Sequence, residues 1–222
     1  MMKAMILAAG RGERMHPLTV DVPKPMLPVG GKPLLQYHVE ALAHAGFTDL
    51  VINHASSGER IEAWFADGAA YGVNILYSAE GDNPLGTGGG INRALPLLGD
   101  DPFLVVNGDI WTDFPLQTLK PATSCRAHLV LVPNPAHHPR GDFALQDGMV
   151  SGSGEPGHTF SGIGVYHPGL FRAITEPVFA LAPVLRQAME SRQVTGELYR
   201  GRWFDVGTPA RLAEVEDYLG KL

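Results

Sequence analysis

The sequence predicts a doubly wound α/β fold, in which helices cover both faces of a mostly parallel sheet. Short apolar runs alternate with helical segments along the first half of the 222 residues. The runs at residues 3–7 and 103–107 are almost continuously apolar, which is typical of strands buried on both faces. Strands that alternate with helices at this spacing indicate βαβ units and a parallel sheet.

The predicted elements follow one another in a regular order. The strands are residues 3–7, 49–53, 73–77, 103–107, 127–132 and 160–166, with a hairpin over residues 143–150 that turns at Asp147-Gly148. The helices are residues 34–45, 59–65, 88–95, 181–189 and 209–219, and residues 8–33 form a loop. Gly46 ends the first helix, and Pro96 is expected to end the helix 88–95. Thr208 as N-cap and Pro209 at the first helical position start the last helix.

Composition and charge exclude several classes of protein. Hydrophobic residues make up 45% and charged residues 18%, which excludes a mostly disordered chain. No apolar run approaches the roughly 18 residues of a membrane span, and the first run, Ala4 to Ala9, is too short for the apolar core of a secretory signal. The net charge of -6 argues against nucleic-acid binding, and the single Cys125 cannot form an internal disulfide. We therefore expect a cytoplasmic protein that binds neither nucleic acid nor membranes.

A glycine-containing segment directly follows the first strand and indicates a phosphate site. It consists of Leu7, Ala8, Ala9, Gly10, Arg11, Gly12, Glu13 and Arg14. Its glycines allow a close approach of the backbone, and successive N–H groups can bind phosphate. The segment is neither a Walker A loop nor the dinucleotide-binding fingerprint. Residues 1–32 also carry an excess of basic side chains, whereas the rest of the chain is acidic, which favours a small anionic ligand.

Lys24 stands between Pro23 and Pro25, which stiffen the segment and favour an extended backbone at the lysine. A lysine held in this way suits contact with a phosphate. The alternative is a solvated lysine in a proline turn, and the lysine alone does not decide between them.

Two aspartates are candidates for a metal site. Asp109 follows the strand 103–107 at its carboxyl end, where ligands bind in open α/β sheets, and Asp205 follows two aromatic residues near the end of the chain. Mg²⁺ is normally held by one or two carboxylates together with phosphates, so two distant aspartates can converge on it. A turn or cap role is the alternative for each aspartate.

A second glycine cluster, residues 86–90, falls at the predicted start of a helix. Glycine costs a helix interior roughly 1 kcal/mol per residue relative to alanine. We interpret the cluster as room for the close approach of a base and ribose.

These motifs together resemble the signature of the sugar-1-phosphate nucleotidyltransferases, which join a nucleoside triphosphate to a sugar 1-phosphate. The matching residues are Leu7-Ala8-Ala9-Gly10, Gly12, Arg14, Pro17 and Thr19, followed by Pro23-Lys24-Pro25, Asn107-Gly108-Asp109 and residues 203–208. The resemblance implies a three-layer α/β/α sandwich with a mixed, mostly parallel, Rossmann-like sheet of the nucleotide-diphospho-sugar transferase type. It also implies a single domain, with a nucleotide half at about 1–120 and a sugar half at about 121–222.

The resemblance also implies residue roles. Arg14 and Lys24 are the expected catalytic residues, and Asp109 and Asp205 the expected ligands of Mg²⁺, for which Mn²⁺ can substitute. The expected nucleotide-binding residues are Leu7, Ala8, Ala9, Gly10, Arg11, Gly12, Glu13, Asn53, Glu80, Pro84, Thr87 and Gly88. The expected sugar-binding residues are Asn107, Gly141, Glu155, Ser161 and Arg202. Glu155 lacks the Glu-Lys-Pro context of many relatives, and His137-His138 is interpreted as an exposed turn.

Within the family, the Thr87–Ile91 run most resembles the branch that transfers a uridylyl group from UTP to N-acetylmuramate 1-phosphate in peptidoglycan recycling. Residues 84–88 also resemble the mannose 1-phosphate guanylyltransferases. A non-catalytic protein that binds nucleotide sugars is a third possibility, although such a protein would be expected to lose Lys24, Arg14 or one aspartate. We expect a monomer or weak dimer without the C-terminal β-helix domain of several relatives.

Overall fold

The computed structural model describes residues 2–119 and 125–221 and places five helices and thirteen strands there. The strands are β1 (Ala4–Leu7), β2 (Pro28–Val29), β3 (Lys32–Pro33), β4 (Asp49–His54), β5 (Asn74–Ala79), β6 (Phe103–Asn107), β7 (Ile110–Thr112), β8 (Ala127–Val132), β9 (Phe143–Gln146), β10 (Met149–Ser151), β11 (Gly157–Tyr166), β12 (Val194–Leu198) and β13 (Trp203–Asp205). The helices are α1 (Leu34–His44), α2 (Gly58–Phe65), α3 (Gly86–Leu98), α4 (Leu181–Glu190) and α5 (Pro209–Leu219).

A nine-stranded sheet forms the centre of the fold, in the order β5-β4-β1-β6-β11-β8-β12-β10-β9. The first four strands of this order are parallel to one another, and β12 is parallel to β8. Strands β11 and β10 run against their neighbours, so the sheet is mixed, as predicted. Strand β9 also pairs with the start of β11, and this end of the sheet curls back on itself.

The two faces of the sheet bury separate cores, which confirms the three layers. Along β1, Ala4 and Ile6 pack with residues of α1 and α2, whereas Met5 packs on the opposite face with residues of α3 and α4. This alternation follows from the two-residue period of a strand. None of the helices in residues 2–119 and 125–221 is long and apolar enough to span a membrane.

A third, smaller core joins α5 to the loop that follows β1. Its residues are Met15, Leu27, Val29, Leu34, Trp111, Val206, Leu212 and Val215, and all of them are buried. Around Trp111, the rings of Phe204 and Tyr218 pack at 6.0 and 5.3 Å between centroids. This core therefore fastens the first loop, the segment after β6 and the last helix to one another.

Most of the predicted elements are present, and the turn residues behave as expected. Gly46 follows α1 with a φ of 89°, and Asp147 and Gly148 adopt φ values of 50° and 75° in the hairpin between β9 and β10. The prediction for Pro96 is wrong, because α3 continues to Leu98. The proline sits in the last turn, where its missing N–H removes one hydrogen bond just before Gly99 ends the helix.

The sequence analysis did not predict β7, β12 and β13, and β2 and β3 form a short hairpin inside the predicted loop. Strand β12 was hidden because Gly196 and Glu197 interrupt its apolar pattern. The boundary near residue 120 between the two halves lies outside the described residues.

His38 is a buried polar residue on α1, close to the start of β7. Its Nε2 has no hydrogen-bond partner among the described residues. Burial lowers the pKa of His38 to about 4, while a hydrogen bond to the backbone of Ile110 and the charge of Asp109 oppose this shift. The ring is therefore neutral in the folded protein at pH 7.

We predict that the free energy of unfolding falls as the pH is lowered from about 6.5 to about 4. In this pH window His38 becomes protonated in the unfolded chain but stays neutral in the folded protein. The free energy of unfolding therefore falls by up to about 1.4 kcal/mol per pH unit. Urea unfolding between pH 7 and 4.5 should show a shallower pH dependence for His38→Gln than for wild type. His44→Gln, an exposed histidine of the same helix, is the control, and equal slopes for His38→Gln and wild type would contradict the prediction.

Candidate active site

A cleft of about 530 Å³ opens at the carboxyl ends of β1, β4 and β6. It is lined by Leu7, Ala9, Gly10, Arg11, Gly12, Glu13, Arg14, Met15, Lys24, Pro25, Asn53, Glu80, Pro84, Gly86, Thr87, Asn107, Asp109 and Gly207. The chain leaves β1 towards β4 on one side and later adds β6 on the other, so the cleft lies at a topological switch point. We call it the larger cleft.

A second cleft of about 380 Å³ adjoins the first, with which it shares Arg14, Asn107 and Asp109. Its other lining residues are Ile110, His137, His138, Asp142, Thr159, Phe160, Ser161, Trp203, Asp205 and Arg211. We call it the smaller cleft. The two clefts together bring residues from both halves of the chain to one site.

The segment from Leu7 to Arg14, which we call the glycine loop, is held in place by contacts with Thr19 and Lys24. Gly12 has a φ of 66°, and the Thr19 hydroxyl donates a hydrogen bond of 2.9 Å to its carbonyl oxygen. A Cβ atom at Gly12 would lie 3.0 Å from the Cβ atom of Lys24, so only glycine lets the loop lie this close to the lysine. Met15 anchors the end of the loop in the third core.

Lys24 is buried and paired with the first candidate metal ligand. Its Nζ lies 2.6 Å from Asp109 Oδ2, and its side chain is 8% exposed against 39% for Asp109. The extended backbone expected at Lys24 is wrong, because Lys24–Met26 form a 3₁₀ turn. Backbone hydrogen bonds from Met26 to Pro23 and from Leu27 to Lys24 stabilise this turn, and the ion pair holds the side chain.

The two aspartates converge as predicted, because β7 and β13 are paired. The register puts Asp205 opposite Ile110, and the Val206 N–H donates a 2.8 Å hydrogen bond to the Asp109 carbonyl oxygen. Asp205 Oδ2 accepts a short hydrogen bond from Arg211 and lies 3.5 Å from His137 Nε2.

This donor set fits a magnesium ion. Asp109 and Asp205 face the same cleft, and within the described ranges no cluster of three or more His, Cys, Asp or Glu residues offers a closed metal site. Mg²⁺ is usually held by one or two carboxylates and completes its shell with substrate phosphates and water. An open pair of carboxylates beside a glycine-containing loop that can bind phosphate through its N–H groups matches that preference.

A buried pair, Asn53 and Glu80, ties three segments together at the far side of the larger cleft. Asn53 Oδ1 accepts a 2.8 Å hydrogen bond from the Ala8 N–H, and Asn53 Nδ2 donates one of 2.6 Å to Glu80 Oε1. Glu80 Oε2 accepts a 2.7 Å hydrogen bond from the Leu85 N–H. Both carboxylate oxygens of Glu80 already have a donor, so the structure places Glu80 as a residue that positions the loop before α3.

The interpretation of the second glycine cluster needs correction. Gly88 and Gly89 pack against residues 177–180, where an added Cβ would lie 2.4 Å from the ring of Phe179 or the carbonyl oxygen of Pro177. At Gly90 it would lie 2.4 Å from Glu80 Oε1. Gly88 does not line the larger cleft, whereas Gly86 and Thr87 do. These three glycines are thus explained by contacts within the protein rather than by room for a base.

The structure separates the predicted sugar-binding residues into two groups. Asn107 and Ser161 line the smaller cleft. Gly141, with a φ of 66°, packs against the backbone of His158 beside that cleft without lining it. Glu155 is exposed in the turn before β11 and lines neither cleft.

The position expected for Arg202 is wrong. Its guanidinium lies 5.5 Å from the ring centroid of Tyr218, and the residue lines neither cleft. Trp203 and Asp205 face the smaller cleft. Arg202 directly precedes β13, and its guanidinium lies on the side of Phe204, whose ring also packs against Tyr218.

Sequence reasoning gave no site role to Arg211, His137 and His138, which line the smaller cleft together with Asp142, the neighbour of the expected sugar-binding residue Gly141. The His137-His138 turn is not merely exposed, since His138 Nε2 lies 3.1 Å from Asp142 Oδ1. A signal for Arg211 was present in the Thr208 N-cap. The Thr208 side chain accepts a hydrogen bond from the Arg211 N–H, which brings the first turn of α5 back towards Asp205.

Fold and site together define an α/β protein whose adjoining clefts combine a glycine-containing loop, a buried lysine and a pair of aspartates. A family model described as nucleotidyl transferase matches residues 3–141. The chain is 52% identical, over 99% of both chains, to N-acetylmuramate alpha-1-phosphate uridylyltransferase from Neisseria meningitidis serogroup B. It is 32% identical to mannose-1-phosphate guanyltransferase from Schizosaccharomyces pombe over 98% of this chain and 62% of that protein. The chain belongs to the nucleotidyl transferase family and is a nucleotidyltransferase.

Solved structures confirm the fold. HddC from Yersinia pseudotuberculosis superposes with a TM-score of 0.82 at 21% identity, over 98% of this chain and 99% of that one. A UDP-glucose pyrophosphorylase complexed with UDP-glucose superposes with a TM-score of 0.81 at 20% identity, over 100% and 99%. The fold is therefore that of the nucleotide-diphospho-sugar transferases.

We predict that Glu80→Gln weakens the binding of the nucleoside triphosphate. The side-chain amide introduced by this substitution has one acceptor oxygen, whereas the Asn53 amide and the Leu85 N–H each need an acceptor. One buried donor is then left without a partner, which costs about 1–3 kcal/mol. Kinetics of pyrophosphate release should show a higher KM for the nucleotide, and thermal unfolding a lower Tm. The exposed Glu59→Gln is the control. A wild-type KM for the nucleotide in Glu80→Gln would show that this pair does not position the cleft.

Proposed function

We propose that the protein transfers the uridylyl group of UTP to N-acetylmuramate 1-phosphate, giving UDP-N-acetylmuramate and pyrophosphate in peptidoglycan recycling. The observation that carries this proposal is the 52% identity to the Neisseria protein, which extends over 99% of both chains. A match of this extent includes the smaller cleft as well as the phosphate loop.

The mannose 1-phosphate guanylyltransferase activity is the second candidate. It is supported by the 32% identity to the S. pombe protein and by residues 84–88. This chain spans 62% of that protein, so the likeness carries less weight than the end-to-end match. A non-catalytic binding protein is disfavoured because Arg14, Lys24, Asp109 and Asp205 are all retained around the clefts.

The proposed reaction needs no protein nucleophile. A phosphate oxygen of the sugar 1-phosphate attacks the α-phosphorus of UTP in line, and the bond to the β-phosphate breaks as pyrophosphate leaves. Catalysis by the chain then consists of positioning and charge stabilisation. In this reaction Lys24 would contact the α-phosphate and the sugar phosphate, while Arg14 and the N–H groups of Gly10 to Glu13 would hold the β- and γ-phosphates.

Asp109 and Asp205 would hold Mg²⁺ or Mn²⁺, which when bound supplies positive charge to the reacting phosphates. In the structure, Lys24 forms an ion pair with Asp109, and Arg211 forms one with Asp205. We further propose that the enzyme works in the cytoplasm as a monomer or weak dimer, with UTP and the sugar 1-phosphate as its partners.

A grid of substrates tests the proposed function. Pyrophosphate release would be measured for UTP, GTP and dTTP, each combined with the 1-phosphates of N-acetylmuramate, N-acetylglucosamine, mannose and glucose. We expect the highest kcat/KM for UTP with N-acetylmuramate 1-phosphate. A preference for GTP with mannose 1-phosphate would overturn the substrate assignment, and the absence of turnover on every pair would overturn catalysis.

We predict that Lys24→Ala lowers kcat more than it raises the KM for UTP, because the lysine charge is needed most when negative charge builds up during transfer. Lys32→Ala is a matched control, since Lys32 also pairs with a carboxylate, that of Glu40, but lines neither cleft. Steady-state kinetics of both variants provide the measurement. Wild-type kcat in Lys24→Ala would remove the lysine from the reaction.

We predict that Asp109→Asn and Asp205→Asn each lose most of the turnover at ordinary Mg²⁺ concentrations while the fold is kept. An amide is a weaker ligand for Mg²⁺ than a carboxylate, so the Mg²⁺ concentration for half-maximal activity should rise. A Mg²⁺ titration of pyrophosphate release and circular dichroism would be recorded together. Asp100→Asn, which changes an exposed aspartate, is the control. An unaltered Mg²⁺ dependence in either cleft variant would exclude that aspartate as a ligand.

A further inference from the structure

The smaller cleft carries a cation that the chemistry of the proposed sugar requires. N-acetylmuramate differs from N-acetylglucosamine by a lactyl ether, which places an additional carboxylate at the 3-position of the ring. An enzyme that prefers this sugar needs a positive group within its sugar cleft, and arginine suits a carboxylate because its planar fork can contact both oxygens. This inference rests on the proposed function.

Among the described residues, few basic side chains reach the smaller cleft. Its arginines are Arg14 and Arg211. Arg14 also lines the larger cleft and belongs to the glycine loop, so its charge faces the triphosphate side. The exposed residues Arg140, Arg200 and Arg202 line neither cleft. Arg211 is therefore the arginine that this cleft offers to the sugar.

The guanidinium of Arg211 is held through two of its nitrogens, Nε and Nη1. Its Nη1 contacts Asp205 Oδ2 and lies 2.8 Å from His137 Nε2, and its Nε donates to Thr208 Oγ1 at 3.3 Å. Nη2 makes no hydrogen bond to any residue in the described ranges. A Cβ atom at Gly207 would lie 2.7 Å from Nη2, so the glycine at this position leaves the space that the guanidinium occupies.

We propose that Arg211 binds the lactyl carboxylate of N-acetylmuramate 1-phosphate and is the residue that determines the sugar specificity of the enzyme. Three contacts hold the side chain, which is 15% exposed, so little rotamer entropy is lost when the ligand binds. His137 accepts from Nη1 and, together with Asp205 and Thr208, keeps the fork oriented, which leaves Nη2 as the nitrogen that can donate to the ligand. Arg211 thus donates to Asp205 from Nη1 and to the sugar from Nη2.

Arg211 has two other conceivable roles, which differ in the substrates they affect. If it binds the sugar phosphate, its loss harms every sugar 1-phosphate equally. If it only holds Asp205, the loss is again independent of the sugar. Only contact with the lactyl group changes the ratio of kcat/KM values between N-acetylmuramate 1-phosphate and N-acetylglucosamine 1-phosphate.

The test is that ratio, measured with UTP on wild type, Arg211→Gln, Arg211→Lys and the control Arg202→Gln. We expect it to fall at least tenfold in Arg211→Gln, to fall less in Arg211→Lys, and to stay at the wild-type value in Arg202→Gln. The dissociation constants of UDP-N-acetylmuramate and UDP-N-acetylglucosamine, measured by calorimetry, should show the same selective loss. Calorimetry keeps the test informative if Arg211→Gln turns over too slowly for kinetics.

The outcomes separate this inference from the proposed function. Wild-type turnover of N-acetylmuramate 1-phosphate with an unchanged ratio in Arg211→Gln, in kinetics and in product binding, would overturn the role of Arg211 and leave the proposed function standing. A selective loss in Arg202→Gln instead would also overturn it. A wild type that does not use N-acetylmuramate 1-phosphate would overturn the proposed function and this inference together.

Discussion

The ion pair between Lys24 and Asp109 is the interaction on which the site depends. A lysine with a side chain only 8% exposed needs a counter-charge, because an unpaired buried ammonium costs several kcal/mol. Asp109 supplies that charge from the end of β6, and so the proline turn is drawn against the sheet. Gly12 then fits against Lys24, which places the glycine loop over the carboxyl ends of β1 and β6. One contact thus joins the glycine loop, the lysine and the first candidate metal ligand.

The third core gives this arrangement its support and extends it to the second aspartate. Met15 at the end of the glycine loop and Trp111 in β7 are buried with residues of α5. Because β13 pairs with β7, the burial of Trp111 also determines where Asp205 lies. The apolar contacts are far from any reacting atom. They nevertheless determine that Asp109 and Asp205, which lie almost one hundred positions apart in the chain, face the same cleft.

Local motifs made most of the fold and much of the site predictable, and long-range contacts account for the rest. The glycine loop, Lys24 and Asp109 could be recognised because each lies in a short pattern beside a strand whose apolar run is obvious. Arg211 was not recognised, although the Thr208 N-cap marks the start of its helix, since its place beside Asp205 also depends on how α5 packs against the loop that carries His137. Arg202 was misplaced for a simpler reason. Its side chain packs over Tyr218 of α5, a contact between distant segments that no local pattern in the sequence indicates.

Charge balance in the site links its two clefts. Each candidate metal ligand is paired with a cation of the chain, Asp109 with Lys24 and Asp205 with Arg211. The pairs let a protein of net charge -6 bring two carboxylates together without their mutual repulsion distorting β7 and β13. In the proposed function, a triphosphate and a sugar phosphate would bring far more negative charge than the two aspartates, and a bound metal ion would compensate the carboxylates. Lys24 and Arg211 would then share their charge between the aspartates and the substrates, so the groups that balance the carboxylates are the same ones that we propose for substrate binding.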